Sequence, residues 1–226
     1  LISTTVDNTA DTLTIDLINS DVADLTSLGL SPDTDTFEII ECDTLASLFG
    51  EPVAGGIVGG ATQDTADVVF LFVNGSWSRF YYDTDLSNWK KVSFFDNDAS
   101  NQVLLPDAGM LYSRLSATTS EFVITGTVPS TDREVSINAA GATFLGNSWP
   151  TDVRLDETGI ENIAEWNSTT SRSSADKVFV LTDTGWKRYF HDGSNWKEVS
   201  FFEPLSDGVM IPSGSAVLIV KSSAAS

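Results

Sequence analysis

Apolar and polar positions alternate over short runs along this chain, the two-residue period of strands with one buried face. Leu13, Ile15 and Leu17 alternate with Thr14 and Asp16, and 37–40 is another short β-prone run. Residues 68–73 form an unbroken apolar run, the pattern of a strand covered on both faces. Asn74 and Gly75 follow at once; both tolerate positive φ, which predicts a tight hairpin into a return strand at 77–82. Further strands are predicted at 89–95, 102–105, 110–115 and 121–128, then at 178–181, 186–190, 196–202, 209–211 and 216–220. Gly, Pro, Asn and Asp turns separate them, a pattern of sandwiches and small barrels. Helix is scarce. Residues 44–50 predict one or two turns, with Thr44 as N-cap and Gly50 just past the end. Glycines 55, 56, 59 and 60 make 54–61 a loop.

The strand pattern occurs twice. Ala66-Asp67 before the first apolar run is echoed by Ala175-Asp176, 109 positions later. Trp77, Phe80, Tyr81 and Asp83 are echoed by Trp186, Tyr189, Phe190 and Asp192 at the same offset. Trp89, Phe94 and Phe95 are echoed by Trp196, Phe201 and Phe202 at an offset of 107, because the second copy lacks two residues of the 83–88 loop. A period this long exceeds the ~20–50 residues of solenoid and propeller units. It predicts an all-β protein of two related sandwich- or barrel-like domains made by internal duplication, with very little helix. The expected organisation is an N-terminal β arm or strand pair over 1–36, a first repeat over 37–130 and a second over 131–226, divided near 129–133.

Composition narrows the partners. With 32 acidic residues against 12 basic, the net charge is −20. Nucleic acid and anionic membrane are disfavoured, because phosphate binding needs clustered Lys and Arg. The single cysteine, Cys42, permits no intramolecular disulfide and no thiolate metal cluster. Its neighbours Glu41 and Asp43 raise a thiol pKa, so it is read as structural. No apolar run reaches the 18 residues of a membrane span. The start at Leu1 rather than Met predicts a processed chain.

A function carried by the repeated unit must use residues present in both copies. The only histidine, His191, is matched by Tyr82, which favours a packing position over a general base. No Gly-x-Ser-x-Gly elbow accompanies it. Asp67/Asp176 and Asp83/Asp192 are acidic in both copies, but each flanks a strand, where Asp caps turns. Calcium is the credible ion, since hard cations need oxygen ligands clustered on loops. Asp83, Asp85, Asp96 and Asp98 offer such pairs, as does 33–35, although none fits an EF-hand loop or repeats cleanly. The aromatics are the strongest constellation. Neighbours in a strand point to opposite faces, so half belong to cores and half could be exposed. Trp77, Tyr81 and Trp89, with Trp186, Phe190 and Trp196, are the candidates for a sugar-stacking platform or an interface.

Several segments together resemble an uncharacterised family of exported proteins, predicted mainly in Verrucomicrobia-type bacteria. They are residues 8–16 (NTADTLTID), 44–50 (TLASLFG), Ala66-Asp67 before an apolar strand, the paired tryptophan strands, 144–153 (FLGNSWPTDV) and 211–220 (IPSGSAVLIV). The resemblance spans essentially the whole chain. It implies export, a duplicated β architecture and a further segment upstream of Leu1, and no reaction.

Together these readings predict a non-enzymatic extracellular or cell-surface structural protein. Its expected partner is itself, in a filament or matrix built when residues 1–17 add a strand to a neighbour. The alternative is a carbohydrate-binding module that holds a polysaccharide through exposed aromatics. Neither reading requires a cofactor, nucleic acid or membrane insertion, and calcium remains open.

Overall fold

The computed structural model describes residues 3–7, 12–15, 42–53, 56–73, 75–93, 95, 97–115, 135, 137–138, 140–147, 149–163 and 165–222. It divides into two compact units, Leu1–Glu41 and Cys42–Ser226. In the first, β1 (Ser3–Asp7) and β2 (Thr12–Ile15) form an antiparallel pair, with a register irregularity between Ser3 and Thr5. Within the expected N-terminal segment, β1 and β2 thus bond to each other. The strands expected at 37–40 and 121–128, and the boundary at 129–133, lie outside the described residues.

The second unit is all-β. Its first half contains β3 (Asp43–Thr44), the short helix α1 (Leu45–Phe49), β4 (Val68–Val73), β5 (Ser76–Asp83), β6 (Asn88–Lys91), β7 (Val103–Leu104) and β8 (Met110–Ser113). The other half contains β9 (Gly141–Gly146), β10 (Val153–Arg154), β11 (Lys177–Thr182), β12 (Gly185–His191), β13 (Trp196–Glu198), β14 (Met210–Ile211) and β15 (Ala216–Lys221). Single 3-10 turns occur at Gln63–Thr65, Leu155–Glu157 and Ile160–Asn162. Among the described residues no helix is long and apolar enough to cross a membrane.

Two antiparallel sheets dominate, ordered β6-β5-β4-β8 and β13-β12-β11-β15-β9. Their first four strands follow the same order, and each half adds a small ladder, β3-β7 or β10-β14. The helix starts and stops where its caps demand. Thr44 Oγ1 accepts from the Ser47 N–H, Ser47 Oγ accepts from the Thr44 N–H, and Gly50 ends α1 at φ 63°. Gly75 takes the hairpin turn between β4 and β5 at φ 75°.

Each sheet buries one face in its own core. Val69, Leu71, Phe80, Tyr82 and Trp89 pack with Leu45 of α1, Ile57 and Leu104. Val178, Val180, Tyr189, Trp196 and Ile219 pack with Leu155, Trp166 and Ile211. The strands expected at 89–95 and 196–202 are cut short, at Lys91 and Glu198. One more bond follows in each copy, Val92 N–H to Arg79 O and Val199 N–H to Arg188 O, both 2.8 Å. The chain then leaves the sheet, and Phe95, Phe201 and Phe202 are exposed.

A buried carboxylate ties each sheet to its cover. Asp67 accepts from the Val58 and Leu115 N–H groups at 2.9 and 2.8 Å, and from the Tyr112 hydroxyl. Asp176 accepts from the Asn167 and Ser222 N–H groups at 2.9 and 2.7 Å, and from Ser222 Oγ at 2.9 Å. The sequence assigned both to turn capping. The structure gives them more, because each joins a segment nine residues before it to the end of a strand 46 or 48 residues later.

The sheets are also linked directly. Ala108 bridges Leu145, the Gly109 N–H donates to Phe144 O at 3.1 Å, and the Gly146 N–H donates to Asp107 O at 2.9 Å. Gly109 must stay small here, because a Cβ would lie 2.7 Å from both the Phe144 ring and the Ala216 methyl. Gly109→Ala is expected to displace Phe144 and to destabilise by about 1–3 kcal/mol, the usual cost of overpacking. A urea midpoint unchanged from wild type would show that the ring has room to give.

Candidate functional site

The core faces leave the opposite face of each sheet unaccounted for. Side chains alternate along a strand, and directly paired residues share a face. Since Val69 and Leu71 enter the core, Phe70 and Phe72 point away from it. Phe70 is paired with Arg79 on one side and Leu111 on the other, a row across three strands. In the other sheet Phe179 is paired with Arg188 and Leu218 in the same way, and Phe144 extends that row onto β9. The two rows match position for position.

These faces line a common cleft of about 540 Å³. Phe70, Trp77, Arg79 and Leu111 line one side, and Phe179, Trp186 and Leu218 the other. Phe144 lies between the two tryptophans, its ring centroid 5.0 Å from Trp77 and 6.3 Å from Trp186, both edge-on. Phe144 is buried, while Trp77 stays 39 % and Trp186 40 % exposed. The site therefore presents two indoles with accessible surface that share Phe144 as a neighbour, and Trp77 also packs edge-on against Phe72 at 5.1 Å.

Of the six aromatic candidates, only Trp77 and Trp186 meet at this cleft. Trp89 and Trp196 are 1 % exposed and belong to the cores. Their rings pack on Phe49 and Tyr82 in one copy, and on Trp166 and His191 in the other. As platform residues they are corrected, because a side chain closed off from solvent cannot stack on a sugar. Tyr81 and Phe190 sit on the cleft-side face by register, but both are buried and neither lines the cleft.

Of the acidic candidates, Asp83 and Asp98 cap turns. Asp83 Oδ1 accepts from the Asp85 and Leu86 N–H groups at 2.9 and 3.1 Å. The matched Asp192 accepts from Ser194 and Asn195, both 2.9 Å. Asp98 Oδ1 accepts from Ser100 at 2.9 Å, and Asp85 is an exposed turn residue. Asp96 lies outside the described residues, as do Asp33 and Asp35. Among the described residues no three His, Cys, Asp or Glu side chains gather closely enough to hold a metal ion.

His191 lies against Trp196, with Ser168 Oγ 2.9 Å from its Nδ1. Its counterpart Tyr82 packs edge-on against Trp89. In both copies this position supports the buried tryptophan. The Cys42 thiol is pushed up by burial and next by the charge of Asp43.

Among the described residues, Asp192 has one partner that Asp83 lacks. Lys197 Nζ lies 2.7 Å from its Oδ2. That bond, with the Asn195 and Ser194 N–H groups, holds the carboxyl at about 2. An unfolded Asp titrates near ~3.9, so the folded state binds the proton less readily. The stability Asp192 contributes is present above that pH and is lost as pH falls toward about 2. Lys197→Ala is expected to reduce the acid sensitivity of the urea midpoint between pH ~4 and ~2. Identical pH profiles for variant and wild type would remove Lys197 from this account.

No protein-family model matches the chain, and neither a curated protein nor a solved structure matches it.

Proposed function

We propose that this protein is a non-enzymatic, exported binding module that holds a saccharide chain across the cleft between its sheets. The observation that carries this reading is the pair of half-exposed indoles, Trp77 and Trp186, at matched positions on either side of buried Phe144. An indole offers a flat apolar face with a polar N–H at its rim, which suits the apolar face of a sugar ring. Packing alone gives no reason for both copies to keep a tryptophan so exposed. The test is a glycan array followed by tryptophan-fluorescence titration, with the Trp77→Ala/Trp186→Ala double variant as control. Binding that the double variant loses supports the reading. Absence of binding to any glycan, with fluorescence unmoved by sugars, removes it.

Self-association is the second reading, favoured by the 87 % exposure of both Phe201 and Phe202 and the 79 % exposure of Phe95. Exposed apolar clusters mark interaction surfaces. Strand addition by residues 1–17 receives less support, because β1 and β2 pair with each other. Sedimentation velocity on the chain lacking 1–17 and on Phe201→Ser/Phe202→Ser separates the two routes. Loss of assembly in the second variant alone would place contact at the phenylalanines.

A further inference from the structure

The charge on the cleft-side faces is opposite to that of the chain. Cross-strand register places Arg79 and Lys90 on this face of the first sheet, and Lys177, Arg188 and Lys197 on that of the second. Five of the chain's 12 basic residues therefore share these two faces, in a protein carrying 32 acids. The strand positions of the same faces include one acid, Asp83, whose Oδ1 is engaged in its own turn.

Three of the five cations already have partners. Lys197 pairs with Asp192, the Lys177 ammonium donates to Ala175 O at 2.7 Å, and Lys90 lies within electrostatic reach of Asp98. The two arginines differ. Arg79 and Arg188 are exposed, and neither forms an ion pair or a side-chain hydrogen bond among the described residues. They occupy matched positions, each one residue pair from a cleft-lining phenylalanine. Guanidinium groups present planar forks of donors that fit carboxylates two bonds at a time. Without a partner among the described residues, they are available to a carboxylate from outside.

We infer that the saccharide held in this cleft is acidic, a uronate-bearing polysaccharide whose rings stack on Trp77 and Trp186 and whose carboxylates meet Arg79 and Arg188. The inference rests on the saccharide reading above and adds the class of sugar. A neutral glycan would leave both guanidiniums unused, and a fatty acid would need one cation and a closed apolar tunnel rather than two cations and two exposed indoles. The net charge of −20 does not forbid an anionic ligand. At 0.1 M salt the screening length is about 10 Å, so remote acids are damped while arginines act at contact.

The test titrates the whole chain with polygalacturonate and alginate, and in parallel with neutral galactan and mannan, at 0.1 M NaCl. Polyuronate binding is expected to exceed neutral binding and to fall about tenfold or more in Arg79→Gln/Arg188→Gln. Both arginines are exposed, and a thermal melt matching wild type will confirm that the variant folds. Equal affinity for charged and neutral chains, or polyuronate affinity unchanged in the arginine variant, overturns the inference while leaving the saccharide reading standing. Binding to none of the four polymers also overturns the inference, and only the glycan array decides the saccharide reading.

Discussion

Asp176→Ala is expected to destabilise the protein by about 3–5 kcal/mol, among the largest effects of any single substitution here. The carboxylate is fully buried and accepts three hydrogen bonds, from the Asn167 N–H, the Ser222 N–H and Ser222 Oγ. Alanine would leave the Asn167 and Ser222 N–H groups facing a methyl group, while the single Ser222 hydroxyl proton keeps Ser174 O as an acceptor at 2.6 Å. A buried donor without an acceptor costs ~1–3 kcal/mol, more than a made bond contributes, because its hydration is not recovered. The loss is structural as well, since those donors hold the segment before β11 and the end of β15 against the sheet. Asp67→Ala should behave alike, stranding the Val58 and Leu115 N–H groups and the Tyr112 hydroxyl. Burial and the neighbouring Asp67 carboxylate both push the Tyr112 phenol up, so it remains a donor at any ordinary pH. Urea unfolding at neutral pH checks this. Asp176→Asn should fall between wild type and alanine, keeping one carbonyl acceptor while turning an amide donor toward an existing donor. A loss under about 1 kcal/mol for alanine would mean that solvent reaches these donors.

The register of the central hairpins was legible because local chemistry and tertiary packing agree there. The apolar run 68–73 became β4 without change, and Thr44 and Gly50 bracket α1 as their side-chain and backbone preferences require. Trp77 and Trp186 were legible as candidates because they repeat. Their separation from Trp89 and Trp196 was not, because facing depends on which side of the sheet the covering segments fall. The echo does not encode that choice. The strand β9 was missed because Gly141 and Gly146 flank only two residues of β-prone type, Thr143 and Phe144. Its identity comes from the β15 edge it pairs with. Phe94-Phe95 and Phe201-Phe202 looked like strand continuation by composition. The structure ends the two strands at Lys91 and Glu198, leaving Phe95, Phe201 and Phe202 exposed, and no residue type there announces the exit. The arginine rows were invisible in one dimension, since Arg79 and Phe70 become neighbours only once the hairpin register is set.

Trp89→Ala and Trp196→Ala are expected to cost about 3–5 kcal/mol each, the range for emptying a buried large aromatic site. Trp77→Ala and Trp186→Ala should cost less, about 1–3 kcal/mol, because each indole is already 39–40 % exposed and loses only its remaining burial and its edge contacts with Phe144 and, for Trp77, Phe72. The contrast separates core from site using one residue type at positions that echo each other in the sequence. Stability should track the first pair and saccharide affinity the second. Phenylalanine variants sharpen it. Trp89 Nε1 donates to Gly50 O at 3.2 Å, whereas Trp196 Nε1 is buried with no partner among the described residues. Trp89→Phe removes a made bond and strands a carbonyl, while Trp196→Phe removes a donor that was already unsatisfied. Trp89→Phe should therefore be the more damaging by about 1 kcal/mol. Equal costs would mean that Trp196 Nε1 has a solvent partner. A large stability loss at Trp77 or Trp186 would move these indoles from the binding surface into the core, and with them the basis for a saccharide in the cleft.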